Sequence, residues 1–312
     1  MSAFSLNHVY ESQQFDRSLL DIVFSTADEM KADLQTRDRQ HADALKGKIM
    51  ASLFYEPSTR TRFSFESAMA RLGGAILTTE NAKEFSSAAK GESLYDSTHV
   101  MCGYADVIVM RHSEPGSAKT AAEVSTVPVI NAGDGSGQHP TQALLDLYTL
   151  KDSFSNIDGV SIAMVGDLKY GRTVRSLSYL LTKYDKIKIY YVSPDVCRMD
   201  DDIKTYLTQN QIEWAEEDDL TKVLPLVDCV YMTRIQKERF HDPEDYVHAA
   251  GKYILDLKKV QMMKADAIIM HPLPRVDEIP QEVDQDPRAR YFEQALNGLY
   301  IRMALLKLLL DQ

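Results

Sequence analysis

The sequence predicts an α/β protein built from two doubly wound domains with mainly parallel sheets, and three observations carry that prediction. The chain has 312 residues, room for two domains at about 100–200 residues each. Short apolar runs rich in β-branched or aromatic residues recur at 49–55, 107–110, 127–130, 161–165, 187–192, 229–232 and 267–270, the pattern of strands buried on both faces. Between them lie stretches with helical spacing, and strands alternating with helices give parallel sheets.

Taken in order, the run at 49–55 passes directly into a helix with Phe65, Ala68, Met69 and Leu72 on one face, ended by Gly73-Gly74. The second half opens with a polar stretch at 151–158, then the strand 161–165, the turn Gly166-Asp167-Leu168-Lys169-Tyr170-Gly171-Arg172, and a helix carrying Val174, Leu177, Leu180 and Leu181. A boundary near residues 135–150 therefore divides two similar halves, and ligands in such sheets gather at the carboxyl ends of the strands. The acidic patch Glu216-Glu217-Asp218-Asp219 reads as a solvated helix start. Residues 291–310 read as one helix with Phe292, Ala295, Leu296, Leu299, Met303 and Leu306 on a stripe, interrupted by Arg302 and Lys307 as no membrane segment would be.

Composition narrows the function. Hydrophobic residues make up 44% and charged residues 26%, which excludes disordered and fibrous chains. With 35 Lys and Arg against 46 Asp and Glu, the formal charge of −11 disfavours a protein that coats nucleic acid or an anionic membrane. An anionic ligand then needs a local basic pocket. Cys102, Cys197 and Cys229 form no CxxC and have no His at ligand spacing, so neither a disulfide framework nor a metal site is expected. A reducing compartment fits, and with no basic leader or long apolar run the expected location is cytoplasmic.

The richest stretch is Glu56-Pro57-Ser58-Thr59-Arg60-Thr61-Arg62, where hydroxyl and guanidinium side chains crowd a helix start. Unpaired N–H groups and a partial positive charge there can wrap a phosphate, with Arg60 adding a full charge. An ordinary N-cap with surface arginines behind it fits the same residues, and spacing does not separate the two. Gly166 and Gly171 lack the G-x-G-x-x-G spacing of a dinucleotide site, and no Walker pattern is present.

Ser58-Thr59-Arg60-Thr61-Arg62, followed by His139-Pro140-Thr141-Gln142 and His271-Pro272-Leu273-Pro274-Arg275, resembles the carbamoyltransferase family in order and spacing. Val109-Met110-Arg111-His112, Asn131-Ala132-Gly133-Asp134-Gly135, residues 165–173 and Met232-Thr233-Arg234-Ile235-Gln236-Lys237-Glu238-Arg239 look like its aspartate-specific branch. The resemblance spans roughly residues 45–312. It implies transfer of a carbamoyl group from carbamoyl phosphate to L-aspartate, an early step of pyrimidine biosynthesis. The amine attacks directly, with no covalent intermediate, cofactor or metal. It further implies domains at 1–140 plus about 297–312 and at 141–296, the C-terminal helix returning to the first domain.

Site roles follow from the same resemblance. Ser58, Thr59, Arg60 and Thr61, with Arg111, hold the phosphate, and Arg60 offsets charge on the leaving oxygen. Thr61, Arg111 and His139 aim donors at the carbonyl oxygen. Gln142, one turn after His139, contacts the carbamoyl NH2, as do the backbone carbonyls of Pro272 and Leu273, which also face the attacking amine. Arg172 takes the α-carboxylate of aspartate, and Arg234 with Gln236 the β-carboxylate. Glu56 bridges to Arg172 and Arg239 when the domains close.

Residues 84–92 read as a polar surface loop. In the resembled family this loop enters a neighbouring subunit's active site, where Ser86 touches the phosphate and Lys90 contacts phosphate and aspartate, so a homotrimer is implied. Residues 240–246 are one residue longer than the family pattern and place Asp245 where a glutamate is usual. A separate zinc-bearing regulatory chain is a partner the resemblance leaves open. Two alternatives stand beside this reading. One is a carbamoyltransferase for ornithine, whose Cys-Leu-Pro and Ser-Met-Gly segments do not match here. The other is a two-domain anion-binding protein, for which His139 and Gln142 would be superfluous.

Overall fold

The computed structural model describes residues 4–85, 87–235, 246 and 251–311, of which 85, 87 and 88 in backbone only. Ser86, Gln236, Arg239 and Asp245 lie outside the described residues. The chain divides into two compact units, Met1–Leu145 with Leu296–Gln312, and Asp146–Ala295.

The first unit is built on parallel strands β1 (Ile49–Phe54), β2 (Ala75–Glu80), β3 (Val107–His112) and β4 (Val129–Asp134), in the spatial order β2-β1-β3-β4. β3 and β4 are almost wholly buried, as parallel strands covered on both faces must be. Helix Thr59–Arg71 contributes Phe65, Ala68 and Met69 to the core. It ends where Gly73, at φ +83°, brings its Cα so near Ala42 that a Cβ would stand 2.5 Å from the Ala42 carbonyl oxygen. Within this unit the helical segment from Leu296 buries Leu299, Ile301, Met303, Leu305 and Leu306. Phe292 and Leu296 of the expected apolar stripe are instead exposed.

The second unit holds strands β5 (Ser161–Val165), β6 (Lys188–Val192), β7 (Glu213–Glu217), β8 (Cys229–Met232) and β9 (Ile268–Met270), ordered β7-β6-β5-β8-β9 and all parallel. Ala163, Val165, Val192, Val230, Met232 and Ile269 form the centre of one buried cluster. Val174, Leu177, Leu180 and Leu181 of helix Arg172–Leu181 are fully buried, as their spacing predicts. Each contributes about 1.5–3 kcal/mol of hydrophobic stabilisation.

Three readings are corrected. β2 and β7 lie outside the predicted strands, because their side chains are mostly exposed or half-buried and so carry little of the apolar signature of a covered strand. Glu216 and Glu217 of the acidic patch end β7, while Asp219 does start a helix, its carboxylate accepting from the Thr221 N–H at 2.9 Å. The polar stretch at 151–158 begins inside helix Pro140–Phe154.

Candidate active site

In each sheet the strand order reverses at one strand pair; Arg60, Arg111, Arg172 and Arg234 lie at carboxyl ends bordering that reversal, while His139, Pro272 and Leu273 lie at the carboxyl ends of β4 and β9, the outer neighbours of those pairs. In the first sheet the reversal lies between β1 and β3. Residues 55–61 follow β1, Arg111 is the penultimate residue of β3, and His139 follows β4. In the second it lies between β5 and β8. Arg172 follows β5, Arg234 follows β8, and Pro272 and Leu273 follow β9.

In the first unit Ser58 is the N-cap of helix Thr59–Arg71, with extended backbone and, among the described residues, no cap hydrogen bond from its side chain. The first turn carries hydroxyls and arginines but no acid to offset the helix dipole. Arg60 is exposed there, and partial desolvation pulls its guanidinium somewhat below its ordinary value, leaving it charged at neutral pH. Arg62 faces elsewhere, on Glu80 at 2.8 Å. Arg111 is clasped by Glu56 at 2.8 Å and donates to the Ala132 carbonyl at 3.3 Å. The β3–β4 register shifts between Met110 and His112, so an irregularity sits at the level of Arg111. Such bulges re-aim side chains.

The loop after β4 is built tightly. Asp134 accepts from the Gln138 N–H at 2.6 Å and from the Gly116 N–H at 2.9 Å. Gly135, at φ +53°, brings its backbone so close to the β3 loop that a Cβ would stand 2.3 Å from the Ser113 carbonyl oxygen. This frame presents His139, 4% exposed, whose carbonyl accepts from Gln142 at 3.0 Å as helix Pro140–Phe154 begins. Lys90 is exposed at the end of the short 3-10 turn Ser87–Lys90.

A cavity of about 150 Å³ opens in this unit between Tyr55, Lys83, Glu92, Ser97, His112 and Glu114. His112 Nδ1 accepts from the Glu114 N–H at 3.1 Å, which puts the ring proton on Nε2, and burial lowers the imidazole pKa.

In the second unit the loops after β5 and β8 are locked together. Gly166, at φ +111°, approaches Thr233 so closely that a Cβ would stand 2.4 Å from its carbonyl oxygen. Thr233 Oγ1 donates to the Val165 carbonyl at 2.8 Å and accepts from the Asp167 N–H at 3.0 Å. Arg172 is buried at the first position of its helix and Arg234 is half-buried. A cation at a helix N-terminus opposes the dipole, so the position suits anion binding better than stability. Leu273 adopts a left-handed backbone, φ +44°.

Sequence reasoning missed two pairings. The Glu56–Arg111 ion pair joins residues 55 positions apart, and His271 binds Glu278 at 2.7 Å across a turn. Only the sheet topology and the turn after β9 make these neighbours, and no local spacing announces either.

The fold is thus α/β, with Arg60 and Arg111 at the reversal of one sheet and Arg172 and Arg234 at the reversal of the other. Residues 7–152 match the carbamoyl-P binding domain of the aspartate/ornithine carbamoyltransferase family, and residues 158–309 match its Asp/Orn binding domain. The chain belongs to that family. It is 58% identical to the chloroplastic aspartate carbamoyltransferase of Arabidopsis thaliana over 99% of its own length and 79% of that protein's. Among solved structures it resembles the catalytic subunit of M. jannaschii aspartate transcarbamoylase, with TM-score 0.90, 47% identity and 98% of each chain covered. It also resembles Trypanosoma cruzi aspartate transcarbamoylase in complex with carbamoyl phosphate and aspartate, with TM-score 0.91, 37% identity and 97% of each chain covered.

The cytoplasmic expectation is corrected by the same comparisons. The relatives from Arabidopsis thaliana, Oryza sativa and Pisum sativum are named chloroplastic, so the cytoplasmic expectation does not stand. Cysteine usage reports redox poise, and more than one compartment is reducing. Among the described residues no helix is long and apolar enough to cross a membrane.

Proposed function

We infer that this chain transfers the carbamoyl group of carbamoyl phosphate to the amine of L-aspartate, giving N-carbamoyl-L-aspartate and phosphate. The observation that carries the reading is the placement of two cation sets at the two sheet reversals, Arg60 and Arg111 in one and Arg172 and Arg234 in the other. Two anionic substrates need two such sets, and a dicarboxylate acceptor needs a pair where ornithine, with its single carboxylate, needs only one. Names of relatives and of complexed structures support aspartate over ornithine.

Catalysis is by orientation and electrostatics. The N–H groups and hydroxyls of Ser58, Thr59 and Thr61 take the phosphate with Arg60 and Arg111, and Arg60 neutralises charge on the departing oxygen. Thr61, Arg111 and His139 stabilise the oxyanion of the tetrahedral state. Gln142 and the carbonyls of Pro272 and Leu273 hold the carbamoyl NH2, the Leu273 carbonyl also facing the attacking amine. As that nitrogen bonds to the carbonyl carbon and the C–O bond to phosphate breaks, its proton passes to the departing phosphate. Arg172 binds the α-carboxylate, and Arg234 with Gln236 the β-carboxylate. Glu56 is assigned to closure with Arg172 and Arg239, an exchange starting from its ion pair with Arg111.

The assembly in this reading is a homotrimer in which Ser86 and Lys90 serve a neighbour's site. Exposure of Lys90, and of Tyr95, Val100 and Tyr104 just beyond it, supports a contact surface there. A zinc-bearing regulatory chain would be a further partner of such trimers. The reaction is tested with labelled carbamoyl phosphate, L-aspartate and L-ornithine. Labelled carbamoyl aspartate is expected, and citrulline would overturn the reading.

A further inference from the structure

Leu273 is not glycine, yet its backbone is left-handed at φ +44°. Such a conformation costs on the order of 1–3 kcal/mol and persists only where its surroundings over-determine it. Here a histidine meets that backbone directly. The Leu273 N–H donates to His271 Nδ1 at 2.8 Å, and the His271 N–H donates to Gln294 Oε1 at 2.8 Å. A backbone N–H can only donate, so Nδ1 must carry the lone pair and the ring proton must lie on Nε2. Nε2 stands 2.7 Å from Glu278 Oε1.

The far side of the histidine is equally directed. Gln294 Nε2 donates to Asp146 Oδ1 at 2.6 Å, and the Tyr231 hydroxyl donates to Asp146 Oδ2 at 2.7 Å. Asp146 and Tyr231 are fully buried, and burial followed by the nearby Asp146 charge pushes the Tyr231 phenol up, so it stays a donor. The amide orientation of Gln294 is thereby fixed, with its oxygen left for the His271 backbone. On the near side, desolvation is the largest influence on Glu278 and would raise it, but the hydrogen bond and electrostatic pull of His271 together with backbone N–H donors, Val276 among them, outweigh it and hold the carboxyl below its usual range. An anionic acceptor therefore faces Nε2 at neutral pH. Each link runs one way.

We propose that His271, locked as its Nε2–H tautomer by Glu278, is a positioning residue that aims the carbonyls of Pro272 and Leu273 at the amines of the reaction. This rests on the assignment of those two carbonyls to the carbamoyl NH2 and the attacking amine. A histidine suits the task because one rigid ring accepts at Nδ1 while it donates at Nε2, 2.8 and 2.7 Å from its two partners. Asparagine can place an amide oxygen where Nδ1 was, keeping the Leu273 bond and losing Glu278. Glutamine reaches toward Glu278 and leaves the Leu273 N–H without its acceptor.

The test compares wild type, His271→Asn, His271→Gln and Glu278→Gln in the full-length enzyme, measuring kcat, KM for both substrates and thermal midpoint. His271→Gln is expected to lose about a hundredfold in kcat, the scale of an ångström of misplacement, with KM for aspartate within about threefold of wild type. His271→Asn is expected to recover to within about tenfold of wild type. Equal losses in the two histidine variants, or a lowered midpoint with kcat kept, would overturn the proposal. Should the histidine variants fail to fold, imidazole ¹⁵N shifts of the wild type decide it. An unprotonated Nδ1 with a protonated Nε2 is required, shifting toward the other tautomer or the cation in Glu278→Gln, and any other wild-type state rules the proposal out. Failure of the wild type to form carbamoyl aspartate would instead defeat the assigned reaction, leaving the tautomer measurement to judge the histidine on its own.

Discussion

In the proposed mechanism Arg60 and Arg234 meet their anions at different stages of the reaction, and that difference is measurable. Arg60 faces charge that grows as the phosphate departs, so Arg60→Ala is expected to lower kcat about 10²–10³-fold, the scale of one lost transition-state donor. The KM for carbamoyl phosphate should move far less, since the helix N-terminus and Arg111 remain. Arg234 faces a carboxylate already charged in free aspartate, so Arg234→Ala removes binding common to ground and transition states. The expectation is a rise in KM for aspartate on the order of tenfold to a hundredfold, equivalent to about 1.5–3 kcal/mol for a charged hydrogen bond. Steady-state kinetics with each substrate varied in turn checks both, and similar small effects in both variants would contradict the assignment. The Arg60 segment was legible in the sequence because its residues are contiguous and open a helix. Glu56 on Arg111 and His271 on Glu278 were not, because their contacts depend on which strands are neighbours and how the turn after β9 folds back.

Loops at strand ends hold the proposed catalytic groups through close backbone approaches, and a glycine marks the tightest of them. Gly135→Ala would set a methyl group 2.3 Å from the Ser113 carbonyl oxygen, at a φ of +53° that disfavours a side chain. The expected cost is about 1–3 kcal/mol of stability, read by urea unfolding, with a fall in kcat because the displaced loop carries His139. An unchanged kcat would mean that His139 is placed independently of this loop. The loop after β9 is pinned further on by Arg275, whose guanidinium donates to Asp284 Oδ2 at 2.7 Å while Tyr291 donates to the other oxygen. The hydrogen bond from Arg275 holds the Asp284 carboxyl below its ordinary range, outweighing desolvation. A carboxylate depressed in the folded state stabilises above its unfolded pKa, near 4, and that stabilisation is lost as pH falls through the lower folded value. Asp284→Asn should therefore cost on the order of 1 kcal/mol near pH 7 and almost nothing at pH 2, measured by denaturation across that interval. A pH-independent difference would assign the loss to packing. At this scale the buried strands, β4 and β9 at two sheet edges included, were legible from their apolar runs, and β2 and β7 were not, since their side chains are mostly exposed or half-buried and are not required to be apolar.

The whole molecule poses the question that one chain cannot answer by its own cations. Lys90 is exposed beside Tyr95, Val100 and Tyr104, which are 55%, 45% and 59% exposed, so a charged loop and an apolar surface share one region of the first unit. If that region is the contact of a homotrimer, the particle in solution has three times the 35.3 kDa chain mass, measured by light scattering. The composition bears on this weakly, because a net charge of −11 favours solubility and says nothing about closed assembly. A functional test is sharper. In the proposed assembly Lys90→Gln and His139→Ala are each expected to damage every site when present alone. In a mixed trimer, a site that takes its loop from one subunit and its cradle from the next can receive an intact Lys90 and an intact His139 together. Dissociating the two inactive variants, mixing them and reassociating should therefore restore activity well above either parent. A site confined to one chain would gain nothing from mixing, since each subunit would keep its own lesion, and an active particle of single-chain mass would lead to the same conclusion by a different route.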